Sequence, residues 1–305
     1  MGRAPSAARA RRLGSLAVAA FLAAWTGGCA SAPPEVRTPS APSPLRVTLP
    51  AAEGSVRFAV IGDGGTGKRH QVEVAGRLVE AHAQFPFDFV IMLGDNLYGS
   101  ERPEDYRRKF EIPYKELLDA GVRFYAALGN HDEPEQRLYG PFNMDGERYY
   151  SFTRGPVQFF VLDTTDLDAK QVDWLRRELA ASQARWKIAY FHHPLYSSGG
   201  KHGSDTTLRA ILEPLFVEHG VSAVFAGHEH FYERIKPQKG ITYFTSGGAG
   251  KLRRGDIQDT ALTAAGFDRD RSFMLVEIAG DTMHFQAISR TGETVDSGTL
   301  PVRAR

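Results

Sequence analysis

From residue 56 onward, short runs of β-branched and aromatic residues alternate with longer stretches of helical periodicity. The runs predict strands at residues 56–61, 89–93, 123–127, 157–162, 187–191, 221–225, 241–245, 273–278 and 282–288. Between them apolar residues recur at helical spacing, as at Val172, Leu175 and Leu179. Helices that cover strands favour parallel pairing, whereas the consecutive strands near the C-terminus favour antiparallel pairing. The chain is therefore predicted to be an α/β domain with mixed β-sheets flanked by helices.

Polar blocks follow directly after several of the predicted strands, where open α/β sheets bind their ligands. The blocks are Gly62-Asp63-Gly64-Gly65, Gly94-Asp95-Asn96-Leu97-Tyr98, Gly129-Asn130-His131-Asp132, His192-His193-Pro194 and Gly227-His228-Glu229-His230. A single block could be a turn, since Asp and Asn beside Gly are common turn formers. Together the blocks predict a site of oxygen and nitrogen ligands, which suits two transition metals placed for phosphoryl transfer.

These blocks resemble the metallophosphoesterase superfamily, and specifically the purple acid phosphatases. Gly94 to Tyr98 matches the GD-x-x-Y block of that group, and Phe124 to Asp132 is similar to the small, tartrate-resistant type. The resemblance covers nearly all of residues 56–250 and implies the layered sandwich of that superfamily. It implies an acid phosphatase that hydrolyses phosphate monoesters by direct attack of a metal-bound hydroxide. A phosphodiesterase or nucleotidase with the same centre is the alternative.

The resemblance also implies a dinuclear centre of Fe(III) and a divalent ion, which could be Zn, Fe or Mn. The first metal would be held by Asp63, Asp95, Tyr98 and His230, and the second by Asp95, Asn130, His192 and His228. Carboxylates and a phenolate suit hard Fe(III), whereas imidazoles and an amide oxygen suit a divalent ion. His193 competes with His192 for one position, and the family pattern places the metal on His192.

Two further histidines receive catalytic roles from the resemblance. His131 is similar to the histidine that hydrogen-bonds the substrate phosphate, and His202 stands where the family has a histidine that donates a proton to the leaving group. The expected substrate is a small phosphate ester or a phosphoprotein.

The same residues allow two other interpretations. Gly62 to Lys68 nearly matches a nucleotide-binding loop, but Arg69 stands where a Ser or Thr would bind magnesium. The second interpretation, from a different functional class, is a scaffold or binding module that has the same fold but no catalytic activity. It is disfavoured because every ligand position of the family pattern is filled.

The N-terminus predicts export. Arginines precede an apolar run at residues 13–25 that is too short to span a bilayer, so residues 1–29 resemble a signal peptide. The run is followed by Cys29, as at a bacterial lipoprotein cleavage site, while ordinary cleavage after residues 30–32 is the alternative. We expect a Pro/Ser/Ala-rich linker at 30–54 and the catalytic domain at 55–302. The protein would lie in the bacterial periplasm or cell envelope, tethered to a membrane through Cys29, or be secreted.

Charge and cysteine content exclude other classes of protein. The formal net charge of +1 gives no indication of nucleic-acid binding. A single cysteine cannot form a disulfide within the chain, so stability has to come from the hydrophobic core and from bound metals.

Overall fold

The structure is a computed structural model, and it describes residues 44–303. The strands are β1 Val56–Ile61, β2 Phe89–Met92, β3 Arg123–Ala126, β4 Tyr150–Arg154, β5 Val157–Val161, β6 Trp186–Phe191, β7 Ala223–Ala226, β8 Tyr232–Ile235, β9 Thr242–Ser246, β10 Thr263–Phe267, β11 Ser272–Ala279, β12 Thr282–Ser289 and β13 Thr294–Pro301. The α-helices are α1 Arg69–Gln84, α2 Pro103–Tyr106, α3 Lys115–Asp119, α4 Ala169–Ala181 and α5 Thr206–Glu218. A π-helical turn spans Arg107–Glu111, and 3-10 turns span Pro134–Leu138 and Gly140–Phe142.

The strands form two mixed sheets. The first sheet has the order β13-β12-β11-β1-β2-β3, in which β1, β2 and β3 are parallel and β11 joins β1 antiparallel. The second sheet has the order β10-β8-β9-β7-β6-β5-β4, with parallel pairing from β5 through β6 and β7 to β9. The predicted α/β architecture of mixed sheets and flanking helices is confirmed.

Alternate residues of the central strands face different layers, as the period of two in a β-strand requires. On β1, Phe58 and Val60 belong to the core between the two sheets, whereas Ala59 and Ile61 pack in the layer that contains Leu78 of α1. A third buried cluster lies where α4 and α5 cover the second sheet. The result is four layers, with the two sheets inside and helices outside.

The sequence prediction omits β4, β8, β10 and β13. Three of these are edge strands, β4 and β10 in the second sheet and β13 in the first, and their mostly half-buried or exposed residues give no apolar run. The inner strand β8 carries two charged residues whose side chains form hydrogen bonds with residues of β10 and β13. Glu233 accepts from Thr263, and Arg234 donates to Asp296.

The folded part begins earlier than the predicted boundary at residue 55. The side chain of Leu45 is buried, and the backbone N–H groups of Ala51 and Ala52 donate to the carboxylate of Glu277 at 2.9 and 2.6 Å. Residues 44–54 of the predicted linker therefore pack against the sheet. Their Pro/Ala-rich composition gave no sign of this, because the acceptors lie far away in the sequence on β11.

The predicted signal peptide at 1–29, with Cys29, and the rest of the linker lie outside the described residues. Between residues 44 and 303, no helix has the length and apolar character needed to cross a membrane.

Candidate metal centre

The predicted blocks meet because each one follows a parallel strand at its carboxyl end. Asp63, Asp95 and Asn130 follow β1, β2 and β3 of the first sheet. His192 directly follows β6 and His228 follows β7, both in the second sheet. The site therefore takes its side chains from both sheets, at the edge where ligands bind in α/β folds.

Asp63, Asp95, Tyr98 and His230 form one group, which we call the Tyr98 cluster. The Tyr98 hydroxyl lies 3.0 Å from Asp63 Oδ1 and 3.2 Å from His230 Nε2. His230 Nε2 is itself 3.2 Å from Asp63 Oδ1. The carboxylates of Asp63 and Asp95 are buried, and one ligand atom each from Asp63, Asp95 and His230 falls within 4.8 Å of the others. The cluster offers three oxygens and one nitrogen to a common point.

Asp95, Asn130, His192 and His228 form a second group, the Asn130 cluster. Asn130 Oδ1 lies 3.0 Å from His192 Nε2 and 3.0 Å from His228 Nδ1, and the two nitrogens are 3.2 Å apart. Asp95 Oδ1 is 3.4 Å from His192 Nε2. Asp95 therefore belongs to both clusters. The seven residues predicted as metal ligands lie together. Their roles as ligands stay predictions.

The fold sets which ring nitrogen of His192 faces the cluster. His192 Nδ1 donates to the backbone carbonyl of Leu93 at 2.9 Å, so Nε2 keeps a lone pair that faces Asn130 Oδ1. Two acceptor atoms 3.0 Å apart repel each other unless a cation lies between them. The hydrogen bond from His192 Nδ1 to the Leu93 carbonyl is also of the kind by which proteins orient histidines that bind metals.

Asp63, Asp95 and His228 share a backbone conformation that side chains rarely adopt. Their φ angles are 55°, 51° and 67°, in the left-handed region. Close packing against Asp95 leaves room only for glycine at position 129. A Cβ on Gly129 would lie 2.2 Å from Asp95 N and 2.4 Å from Asp95 Oδ1. Strain of this kind persists where the surrounding structure fixes it, and it concentrates at functional sites.

Burial controls the charge state of the donors. Burial lowers the pKa of His192 to about 4, of His230 to about 3 and of His228 to about 2, so these imidazoles are neutral and keep lone pairs at neutral pH. Burial and the neighbouring Asp95 raise the pKa of Asp63. Burial and both carboxylates raise the pKa of Tyr98, so its phenolate requires a cation. The donor set fits a pair of metal ions.

The two predicted catalytic histidines border the clusters. The backbone N–H of His131 donates to Asp95 Oδ1 at 3.0 Å, and its ring centre is 4.9 Å from that of Tyr98. The ring of His202 stacks on the ring of His228, with centres 4.2 Å apart and planes 26° apart. Their catalytic roles stay predictions.

His193 lies next to the Asn130 cluster but is bonded elsewhere. Its Nδ1 is 3.0 Å from the Thr164 hydroxyl, which also accepts from the His193 backbone N–H at 3.1 Å. The His193 ring centre is 4.5 Å from that of His228. This placement accords with a supporting position behind His192 and His228.

Several residues at the site were not singled out from the sequence. Lys251 Nζ lies 4.0 Å from the centre of the Tyr98 ring. Arg253 Nη1 donates to Glu229 Oε2 at 2.8 Å, and Glu229 is buried between the two histidines of its block. Lys251 and Arg253 lie in the segment between β9 and β10. Its sequence contains no motif that places these two side chains.

Asp132 joins two of the predicted blocks. Its carboxylate accepts from the backbone N–H groups of Asn96 at 3.0 Å, Leu97 at 3.0 Å and Gly129 at 2.9 Å. These bonds fix the loop after β2 against the loop after β3. They thereby set the spacing between Asp95 and Asn130.

Residues 56–232 match the family model for calcineurin-like phosphoesterases. The chain is 30% identical over 248 residues to purple acid phosphatase 17 from Arabidopsis thaliana, covering 69% of this chain and 73% of that protein. It is 24% identical over 313 residues to tartrate-resistant acid phosphatase type 5 from Rattus norvegicus, covering 86% and 95%. These relatives imply a dinuclear metal centre.

The solved structure of GAP50 from Plasmodium, described as the anchor in the inner membrane complex, has a TM-score of 0.71 at 21% identity. The alignment covers 82% of this chain and 90% of that one, which shows a shared fold. The family model covers more than half of the chain, and the relatives are acid phosphatases. The protein is therefore a hydrolase of phosphoric esters. The chain belongs to the calcineurin-like phosphoesterase family, and its curated relatives within that family are purple acid phosphatases.

Proposed function

We propose that the protein is an acid phosphatase that hydrolyses phosphate monoesters at a centre of Fe(III) and a divalent Zn, Fe or Mn ion. The observation that carries the proposal is the Tyr98 hydroxyl, which lies 3.0 Å from Asp63 Oδ1 and 3.2 Å from His230 Nε2. A phenol oxygen among carboxylate and imidazole donors suits a hard ferric ion. The names of the relatives, purple acid phosphatase and tartrate-resistant acid phosphatase, favour a monoesterase over a phosphodiesterase or nucleotidase.

The two clusters differ in their donor atoms, as two different metal ions would require. The Tyr98 cluster is rich in oxygen, whereas the Asn130 cluster has two imidazoles and an amide oxygen, which suit a divalent ion. Bound ions would supply Lewis acidity toward the phosphate oxygens and toward the attacking water.

The chain's own residues bind and orient the ester. In this proposal His131 donates to a phosphate oxygen and His202 lies at the leaving group, which is supported by the bond of His131 to Asp95 and the stacking of His202 on His228. Lys251 brings a positive charge to the Tyr98 cluster, whereas Arg253 is paired with the carboxylate of Glu229 at 2.8 Å. The charge of Lys251 favours binding of a phosphate dianion. Water attacks phosphorus in line with the leaving alkoxide, without a covalent phosphoenzyme.

We also propose that the protein acts outside the cytoplasm, on a small phosphate ester or a phosphoprotein. The N-terminal arginines, the apolar run and Cys29 support export to the bacterial cell envelope, with lipidation at Cys29 as the tether. Mass spectrometry of the mature N-terminus tests this: a diacylglyceryl-modified Cys29 is expected, and cleavage after Ala32 would contradict the tether.

The experiment for the catalytic proposal combines metal analysis with a visible spectrum of the purified protein. The wild type should contain iron and show a purple band from tyrosinate-to-Fe(III) charge transfer, and Tyr98→Phe should abolish the band. Tyr149→Phe is a matched control, because Tyr149 packs on Trp174 of α4 and belongs to neither cluster. A colourless, iron-free and active wild type would show that the protein is a metallophosphoesterase other than a purple acid phosphatase.

Substrate preference is tested on the same preparations. We expect 4-nitrophenyl phosphate to be hydrolysed faster than bis(4-nitrophenyl) phosphate and without the preference for 5′-nucleotides that a nucleotidase shows. Faster turnover of the diester would favour the phosphodiesterase instead.

A further inference from the structure

Glu229 holds the loop that carries His202. Its side chain is fully buried, and Oε1 accepts from the backbone N–H of Gly203 at 2.7 Å. The same carboxylate packs so closely on Gly199 that a Cβ there would lie 2.5 Å from Oε1. Both ends of the segment 199–203 are therefore fixed against Glu229. His202, inside this segment, is held over the ring of His228.

Arg253 connects the same carboxylate to the His202 ring. Arg253 Nη1 donates to Glu229 Oε2 at 2.8 Å and lies 3.3 Å from His202 Nδ1. The backbone N–H of Arg253 donates to the carbonyl of His230 at 3.0 Å, which ties its position to the Tyr98 cluster. A guanidinium has only donors, so His202 Nδ1 must be the acceptor.

An accepting Nδ1 fixes the tautomer of a neutral imidazole. When Nδ1 of a neutral imidazole accepts a hydrogen bond from Arg253, the ring hydrogen lies on Nε2. We propose that Arg253, held by Glu229, is a positioning residue that fixes His202 as the Nε2–H tautomer and so makes it a hydrogen-bond donor to the leaving-group oxygen. The inference rests on the proposed function, and it replaces the expected proton transfer from His202 with a hydrogen bond, so the departing alkoxide takes its proton from water.

The space beside His202 suits a leaving group. A cavity of about 250 Å³ is lined by His193, His202, Ser204, Thr206 and His228. It opens next to the Asn130 cluster through His228, and its walls are polar. A hydrogen bond from His202 Nε2 would stabilise the negative charge that develops on the departing oxygen. The stabilisation grows as the leaving group becomes poorer, because more charge develops on that oxygen.

The test compares kcat/KM for 4-nitrophenyl, phenyl and propyl phosphate in Arg253→Met, His202→Ala and the double variant. We expect Arg253→Met to lower kcat/KM for propyl phosphate by about 10- to 100-fold and for 4-nitrophenyl phosphate by only about threefold or less. The double variant should be no slower than His202→Ala, since Arg253 acts through His202. Arg253→Lys, which keeps one donor, should recover part of the loss, and Arg254→Met is the exposed, matched control.

An equal loss for all three esters, or effects of the two single variants that multiply, would overturn the proposal. Nitrogen-15 NMR of the metal-free protein gives a readout independent of activity. The wild type should show His202 protonated on Nε2, and Arg253→Met should show a mixture of tautomers. A wild type protonated on Nδ1 also overturns the inference. A wild type with the Nε2–H tautomer but no monoesterase activity overturns the proposed function instead.

Discussion

The ammonium group of Lys251 lies over the face of the Tyr98 ring, 4.0 Å from its centre. The backbone N–H of Lys251 also donates to the carbonyl of Asp63 at 3.1 Å, so the lysine is anchored to the Tyr98 cluster. A cation in this position stabilises the π electrons of the ring. Charge transfer from tyrosinate to iron removes electrons from those orbitals, so the cation raises the energy of the transition.

We therefore predict that Lys251→Met shifts the purple band to longer wavelength. A cation–π contact is worth about 0.5–2 kcal/mol, which corresponds to roughly 5–20 nm in the visible range. Lys251→Arg should keep the wild-type position, and so should Lys201→Met, whose lysine is exposed near His202. An unchanged band in Lys251→Met would show that the lysine does not tune the tyrosinate.

Gly129→Ala should displace Asp95 and empty the site. The new Cβ would lie 2.2 Å from Asp95 N, so the carboxylate that borders both clusters has to move. A misplacement of about 1 Å costs on the order of 100-fold in rate, and we expect at least that loss together with reduced metal content. Metal analysis and kcat measure both effects.

Gly76→Ala is the matched control for this substitution. Gly76 lies within α1 with no heavy atom within 4 Å of its added Cβ, so alanine should raise the free energy of unfolding by about 0.5–1 kcal/mol. Normal metal content in Gly129→Ala would contradict the close packing described for Asp95.

Glu73 should stabilise the fold in a pH-dependent way. Burial alone would raise the pKa of Glu73, but bonds from His70 and Arg69 and the charge of Arg290 outweigh it and lower the pKa to about 2. A carboxylate with a depressed folded pKa contributes stability above its unfolded pKa and loses it as the pH falls toward 2. Glu73→Gln should lower the free energy of unfolding by about 1 kcal/mol at pH 7, after allowance for solvent screening.

Urea unfolding of the metal-free protein at several pH values tests this prediction. The difference between wild type and Glu73→Gln should shrink below pH 4.5 and vanish near pH 2. Glu80→Gln, at a more exposed ion pair with Arg77, should change the free energy by less than about 0.5 kcal/mol at any pH. A Glu73→Gln gap that persists at pH 2 would argue against the ionic origin.

Removal of the metals should destabilise the whole domain. The carboxylates of Asp63 and Asp95 are buried, and without a cation their charges oppose each other and their burial. Metal at about 1,000 times its Kd adds about 4 kcal/mol. For a domain of this size that is a Tm change of about 8–16 °C. Calorimetry before and after chelation measures it, and an unchanged Tm with complete metal loss would contradict it.

The central strands were predictable because local pattern and tertiary environment agree. The predicted strand at 56–61 has the bounds observed for β1, since Phe58, Ala59 and Val60 are apolar and wholly buried in two different layers. The edge strand β13 has mostly exposed residues, so its pairing with β12 left no hydrophobic signal. Pairing across a sheet is a tertiary property that a half-exposed strand does not reveal.

The meeting of the polar blocks was predictable for a similar reason, while the assignment of seven ligands comes from the family resemblance and stays a prediction. Glycines and polar residues at strand ends form local blocks, and the topology of parallel strands brings such ends together. Lys251 and Arg253 could not be found this way, because they come from a loop between β9 and β10. Their positions depend on bonds to Asp63 and Glu229 that only the folded chain contains.

Each metal cluster takes donors from both sheets. Asp63, Asp95 and Tyr98 come from loops of the first sheet and meet His230 of the second, while Asn130 of the first meets His192 and His228 of the second. Bound ions would therefore act as reversible cross-links between the two sheets of a chain whose single cysteine rules out an internal disulfide. The stability of this edge would therefore follow the supply of metal around the protein.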